Sequence, residues 1–269
     1  MAQSHASNPQ LSKDKLAKEI GDIYSKHISL LSLCKQVDPS LVHDGKVVSV
    51  STRIDTALEI AEGDPVGNTD MTLALAAMAE TKSRNSVLLS DEILEDSMES
   101  FRLSLLEEVV QSHQRYSDNY ILGVAGSSVT IPSTQVASMA ALTLSDLHAA
   151  CVAVSYSGSL PDLFCSQSTY FAFKDLELAS GVLSEAGSVC GLRWVPTDAP
   201  ASASGDVVAL VGDPSRHFVV ADNGLQVMLD DQSSTVNSLS DQSVLYSRQR
   251  FSLGEYAGAG SGLAKIRIA

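Results

Sequence analysis

From Ser90 to Gly123 the chain runs without a proline or an interior glycine. Within that run Leu94, Met98, Phe101, Leu105, Val109, Tyr116 and Tyr120, with His113 on the same line between Val109 and Tyr116, recur at steps of three or four residues. That spacing is one stripe of an α-helix. Ser90 is suited to the N-cap, Asp91 and Glu92 place negative charge at the positive end of the helix dipole, and Gly123 is the expected C-terminal stop. Such a helix is about 48 Å long, several times the length of an average globular helix. A chain of 269 residues that contains it has to pack its other elements along it as along a spine.

The length suffices for one full core or two modest ones. A formal net charge of −14 argues against tight, sequence-independent binding of nucleic acid, which needs a basic surface. The charge is unevenly spread. Residues 1–53 carry seven Lys or Arg against five Asp or Glu, whereas residues 54–81 carry six acids and no base. The asymmetry is read either as intersubunit complementarity or as two solvated faces. Cys34, Cys151, Cys165 and Cys190 are dispersed in apolar contexts without a Cys-x-x-Cys pair. Buried reduced thiols and a reducing compartment are the expectation. The first ten residues are polar, unlike a signal peptide, and no apolar run approaches the length of a membrane span.

Residues 1–10 are expected as an extended arm, and Leu11 to Lys35 as a helix ended by Asp38-Pro39. Lys46 to Ile54 alternates as a strand. Gly63-Asp64-Pro65 and Gly67-Asn68 are turn signals, and a return segment runs from Asp70 to Leu89. Within it, Thr72 to Glu80 has helix-forming composition. After the spine, Thr143 and Asp146 form a capping signature for a helix burying Leu144, Leu147, His148, Cys151 and Val154. Leu163 to Cys165 is a short strand. Ser168 to Leu178 is a second short helix carrying Tyr170, Phe173 and Leu176, and Ala179 to Gly191 is a small-residue loop. The last third is β-rich. Leu192–Val195 and Val207–Val211 read as buried strands, and Phe218–Ala221 and Leu225–Leu229 flank Asn223-Gly224, a hairpin signal. Asp230 to Gln242 is a polar loop. Val244 to Leu253 places Tyr246, Arg248 and Arg250 on one face and Leu245, Phe251 and Leu253 on the other. Leu263 to Ala269 sets Ile266 and Ile268 against Lys265 and Arg267. The fold class is α+β, without internal repeats.

Catalytic motifs are lacking: the sequence holds no Walker A loop, G-x-S-x-G or H-E-x-x-H. Gly258 to Gly262 is a flexible loop rather than a phosphate cradle, since it lacks the G-x-G-x-x-G spacing. His113 reads as a helix-packing histidine. Asp230, Asp231 and Asp241 read as solvated loop acids before they read as a cation site. Glu59, Glu62, Asp64 and Asp70 read as partners of a neighbour's basic strand or as a solvated face, ahead of a metal patch. No catalytic, cofactor or metal residues are assigned.

The ordered series of these features resembles the tailed-bacteriophage major capsid proteins. A long hairpin precedes Ser90-Asp91-Glu92-Ile93-Leu94-Glu95-Asp96-Ser97, and the spine closes with Asp118-Asn119-Tyr120-Ile121-Leu122-Gly123. A capped helix, a strand and a short helix follow (Thr143 to Leu178), then Gly191 to Pro196, an Asn-Gly element, and a closing strand with Arg248 and Arg250. The resemblance covers about Leu11 to Ala269.

It implies the Hong Kong 97-like fold and a structural role in the virion. Residues 1–45 would be the N-terminal arm, 46–89 the E-loop β-hairpin lying over an adjacent subunit, 90–123 and 225–269 the peripheral domain, and 124–224 the axial domain. The loop Leu178 to Ser188 would sit at the capsomer axis, and Asp230 to Gln242 near the threefold contacts. The resemblance also decides Thr72–Glu80 in favour of strand. Copies of the chain would form pentamers and hexamers that enclose double-stranded DNA without sequence-specific binding and without a membrane, assembled in the host bacterial cytoplasm. Arg84, Arg248 and Arg250 are candidate intersubunit contacts for Glu59, Glu62, Asp64 and Asp70 of another copy.

Two departures matter. Residues 54–81 hold no Lys, and the closing strand carries Ser243 and Arg250 where covalently crosslinking members carry Asn and Glu, so no self-crosslinking is expected. The long charged scaffolding segment with which many members begin is not evident here, so a separate scaffolding protein is expected, with a truncated or processed chain as the alternative, beside a portal and a cement or decoration protein. An encapsulin-like compartment shell shares the fold and size, although the long hairpin and the spine opening lean towards phage. A soluble α+β enzyme with a long helix is the alternative from another class.

Overall fold

A computed structural model describes residues 29–52, 72–90, 99–154, 161–182, 184–197, 205–231, 242–255 and 262–269. In chain order the elements are α1 (Leu30–Leu33), β1 (Lys35–Gln36), β2 (Lys46–Thr52), β3 (Thr72–Ser90), α2 (Glu99–Ser127), β4 (Ser133–Val136), α3 (Leu144–Ala153), β5 (Asp162–Cys165), α4 (Gln167–Ser180), β6 (Ser188–Val189), β7 (Leu192–Pro196), β8 (Val207–Gly212), β9 (Phe218–Asp231), β10 (Gln242–Glu255) and β11 (Leu263–Ile268). The strands form a five-stranded sheet in the order β1-β9-β10-β3-β2 and a six-stranded sheet in the order β4-β11-β8-β5-β7-β6. The α+β class expected from the sequence is the class observed.

Helix α2 joins the two sheets. Its 29 residues extend about 44 Å. Leu106, Val109, Val110, His113, Gln114, Ser117, Asp118, Ile121, Leu122 and Ala125 are buried along it. This face is wider than the expected stripe, because the helix packs first on the five-stranded sheet and then, through Ile121, Leu122 and Ala125, on Phe164, Val207 and Leu210 of the six-stranded sheet. Tyr116, expected on the buried line, is 41% exposed. Ser90, the expected N-cap, is the last residue of β3 and pairs with Gln242; residues 91–98 lie outside the described residues. Gly123 does not end the helix, which continues through Gly126 to Ser127. The stop comes from another part of the chain. Lys265 Nζ donates to the carbonyls of Ala125, Gly126 and Ser128 at 2.8, 2.9 and 2.6 Å. A cation on terminal carbonyls satisfies both their lone pairs and the negative end of the dipole. Lys265 was expected on the polar face of the closing strand, and it is buried for this reason.

The described part of the expected first helix is short. Ser29 caps α1, which ends at Leu33, and Lys35–Gln36 are extended and pair in parallel with Val219–Val220. Asp118 Oδ1 accepts the N–H of Leu30 at 2.9 Å, so the acid of the Asp118 to Gly123 motif holds α1 against α2. Thr72–Glu80 is strand, as expected against its composition, because β3 pairs with β2 on one side and with β10 from Met78 onward on the other.

Asn223-Gly224 is not a hairpin. Strand β9 is continuous, and both halves pair with β10. Asp222 faces Phe251 and Leu225 faces Gln249, so Asn223 and Gly224 stand together opposite Arg250 as a β-bulge. Gly224 takes φ +77°, and its N–H donates to Asp222 Oδ1 at 2.9 Å. The left-handed geometry that Asn-Gly supplies is used to bend a strand, since a long partner strand offers both halves a ladder that a hairpin would forgo.

The six-stranded sheet is covered by α3 and α4 on one face and by α1 and the end of α2 on the other. Strand β8 therefore buries all six of its residues. Helix α3 carries the expected capping box of Thr143 and Asp146. His148, expected to be buried on it, is exposed; Leu147, Ala150 and Val154 occupy the buried line. Strand β11, placed by sequence with the long helix, pairs with β4 and β8 in the six-stranded sheet.

Candidate functional site

The five-stranded sheet has two unlike faces. Towards α2, Ser83, Val87, Leu245, Ser247 and Phe251 are buried or half-buried. On the opposite face the segment carrying Val37 and Val42 packs on Val47, Ala76, Met78, Val219 and Ala221. Beyond that cover the outer face is open, and the alternation of the strands lines it with Lys82, Arg84 and Ser86 of β3, Tyr246, Arg248 and Arg250 of β10, and Gln226 and Met228 of β9.

Register brings the cations together. Arg84 lies directly opposite Arg248, and Lys82 directly opposite Arg250. Like charges directly opposed on one face of an antiparallel pair are destabilising. Among the described residues no carboxylate forms an ion pair with any of the four. Arg248 Nε donates to Gln226 Oε1 at 2.8 Å, which steadies its guanidinium. Arg250 Nε is buried without a hydrogen-bond partner. Arg84, Ser86, Gln226, Met228, Tyr246 and Arg248 line an open groove of about 550 Å³.

Of the residues expected as intersubunit contacts, Arg84, Arg248 and Arg250 are thus gathered on one surface. Glu59, Glu62, Asp64 and Asp70 lie outside the described residues. Lys82, Gln226 and Met228 were missed. Alternation along β3 was the available signal for Lys82, but the register that sets it against Arg250 is a long-range property.

Two buried polar clusters bear on whether the chain carries chemistry. Glu177 of α4 is buried and accepts from Lys174 Nζ at 2.9 Å, from Ser184 Oγ at 2.8 Å and from the N–H of Cys190. Burial pushes its carboxyl up, but these donors outweigh it and hold the pKa at about 2. Lys174 and Ser184, 2.7 Å apart, therefore do not form a nucleophile and base. The lysine donates to Glu177 and to the carbonyls of Ser184 and Glu185, and the serine donates to the carboxylate. Cys190, expected buried, is exposed; partial desolvation of its thiol, and then the adjacent Glu177 carboxylate, raise its pKa, which disfavours the nucleophilic thiolate. The cluster ties the end of α4 to the loop that follows. The second cluster is His113, which lies 2.6 Å from Ser83 Oγ and 2.8 Å from Ser247 Oγ, bridging β3 and β10 to α2. Burial lowers its pKa. It is the helix-packing histidine expected. Among the described residues no group of His, Cys, Asp and Glu is arranged to hold a metal ion, and no helix is long and apolar enough to cross a membrane.

Neither a family model nor a curated protein matches this sequence. Solved structures do match its fold. A chain of Mycobacterium phage Bobi superposes with a TM-score of 0.61 at 15% identity, covering 90% of this chain and 91% of that chain. The capsid of a native GTA particle, computed with C5 symmetry, gives 0.56 at 12% identity over 90% of each chain. The capsid of the Cyanophage P-SCSP1u gives 0.57 at 10% identity over 90% of this chain and 89% of that chain. The chain has the Hong Kong 97-like capsid fold that the sequence resemblance implied.

Proposed function

We propose that this chain is the repeating subunit of an icosahedral phage or GTA-like capsid, a major capsid protein whose role is structural rather than catalytic. The observation that carries the reading is the extent of the structural likeness, about nine-tenths of this chain and of each matched chain. Pentamers and hexamers of the chain close a shell around double-stranded DNA, and the virion is its location after assembly in the host cytoplasm. A scaffolding function, a portal and a cement protein are the further partners.

In this reading residues 1–45 are an arm and 46–89 an E-loop that lies over an adjacent subunit. Val48 and Leu75, directly paired on the β2–β3 ribbon and about 60% exposed, are an apolar pair suited to such a contact. The peripheral domain consists of the long helix with β9 and β10. The axial domain consists of residues 124–212 joined by the closing strand, with the loop 178–188 at the capsomer axis. The acids Glu59, Glu62, Asp64 and Asp70 of one copy meet Arg84, Arg248 and Arg250 of another. Charge reversal at Arg248 and Arg250 that left assembly unchanged would remove that contact from the reading.

Electron microscopy of the chain, alone and with co-expressed scaffolding candidates, tests the function. Closed shells, or capsomers that close when scaffold is added, are expected; a compact monomer under every condition refutes it. Denaturing gels of the shells are expected to show a single band, because residues 54–81 hold no lysine for a covalent crosslink. Shell diameter and contents separate a DNA-filled head from an encapsulin-like compartment holding an enzyme.

A further inference from the structure

We propose that the outer face of the five-stranded sheet is a binding site for a multivalent phosphate anion of the pyrophosphate or polyphosphate class. The inference rests on the geometry of the sheet and stands independently of the shell reading.

The argument starts from an unfavourable arrangement. Two like-charged cross-strand pairs, Arg84 with Arg248 and Lys82 with Arg250, occupy consecutive rungs of one face. The chain as a whole carries −14, yet no described carboxylate neutralises them. A surface that concentrates four cations inside an acidic molecule attracts anions at long range. The groove then supplies shape. Arg84 and Arg248 line it from opposite strands, and Gln226 holds Arg248 in place through Nε. A guanidinium steadied through Nε presents its terminal nitrogens as the fork that matches a phosphate. Ser86 and Tyr246 line the same groove with hydroxyls, and Met228 forms an apolar wall.

Spacing selects the ligand class. Rungs two residues apart on a strand are separated by about 6.8 Å. A monovalent anion satisfies one rung and leaves the other repelling. A chain of two or three phosphates reaches both and neutralises four cations at once. On the assembled particle the neighbouring copy's carboxylates would compete for the same surface.

Isothermal titration calorimetry of the full chain with inorganic tripolyphosphate, at constant ionic strength set with sodium chloride, tests this. One site per chain is expected, with affinity falling about tenfold or more in the R84Q/R248Q double variant. Arg193→Gln, on the other sheet and paired with Asp162, is expected to leave it unchanged. A rise in melting temperature on adding tripolyphosphate, lost in the double variant, is the second readout. Equal affinity in the double variant, or a response that sodium chloride reproduces, overturns the site. A single-stranded oligonucleotide that binds more tightly than tripolyphosphate per phosphate overturns the assignment to a small anion and gives the groove to nucleic acid.

Discussion

Replacing Lys265 with methionine keeps the length and apolar stem of the side chain but removes the ammonium from the end of α2. Lys265 is 3% exposed, and its three protons face three carbonyls at 2.6–2.9 Å. Bonds from a charged donor stabilise by about 1.5–3 kcal/mol each, and a buried carbonyl left without a donor costs about 1–3 kcal/mol. Against this, methionine no longer has to desolvate an ammonium, a cost of several kcal/mol. That penalty is visible in the lysine itself: burial, and then Arg267 nearby, lower its pKa. The balance is a loss of about 3 kcal/mol, a large share of the ~5–15 kcal/mol that holds a domain folded. It corresponds to a fall of roughly 6–12 °C in melting temperature for a chain of this size. Urea unfolding of the dissociated subunit, followed by far-UV circular dichroism, measures it, with the slope against denaturant unchanged. Lys265→Arg is expected to fall between the two, keeping the charge but not the compact three-proton geometry. A K265M variant within about 0.5 kcal/mol of the parent chain would refute the assignment of the helix stop to this residue.

Other outcomes follow from the same structure. His113 has its pKa lowered by burial, so between that value and the unfolded value near 6.5 the unfolded chain binds a proton that the folded chain does not. Stability is expected to fall as pH drops through that window, and His113→Gln should flatten the fall in unfolding midpoints measured from pH 7 to 5. Glu177, with its pKa at about 2 against 4.5, contributes stability that is full above pH 4.5 and lost as pH falls through 2. Glu177→Gln should cost about 3 kcal/mol at pH 7 and raise amide exchange between Ser184 and Cys190; unchanged exchange there would refute the tether. Gly224→Val should cost about 1–2 kcal/mol through backbone strain alone, since no atom lies within 4 Å of the added Cβ; thermal unfolding checks it, and a neutral effect would refute the bulge geometry.

The long helix was legible because its signal is local: an uninterrupted helical period written into consecutive residues. The capping box at Thr143 and Asp146 and the alternation of β10 were legible for the same reason. What sequence could not supply was partner identity. The helix end was misplaced at Gly123 because the group that terminates it, Lys265, is 140 residues away from its first acceptor, Ala125. Asn223-Gly224 was misread because a turn and a bulge ask the same backbone conformation of the same residues. Only the presence of β10 beside both halves of β9 decides between them.

The candidate surface divides along the same line. Each strand shows its own cations by alternation, so Arg248 and Arg250 could be placed on one face from sequence. That Arg84 faces Arg248 and Lys82 faces Arg250 depends on register, and a slip of one residue would turn one strand's cations towards α2. Register here is fixed from the buried side, where Ser83 and Ser247 both reach His113. The histidine that pins the two strands to the helix therefore also sets the charge pattern on the far face. Buried apolar side chains such as Leu245 and Phe251, together with the two serine–histidine contacts, thus hold in place an arrangement that electrostatics alone would oppose.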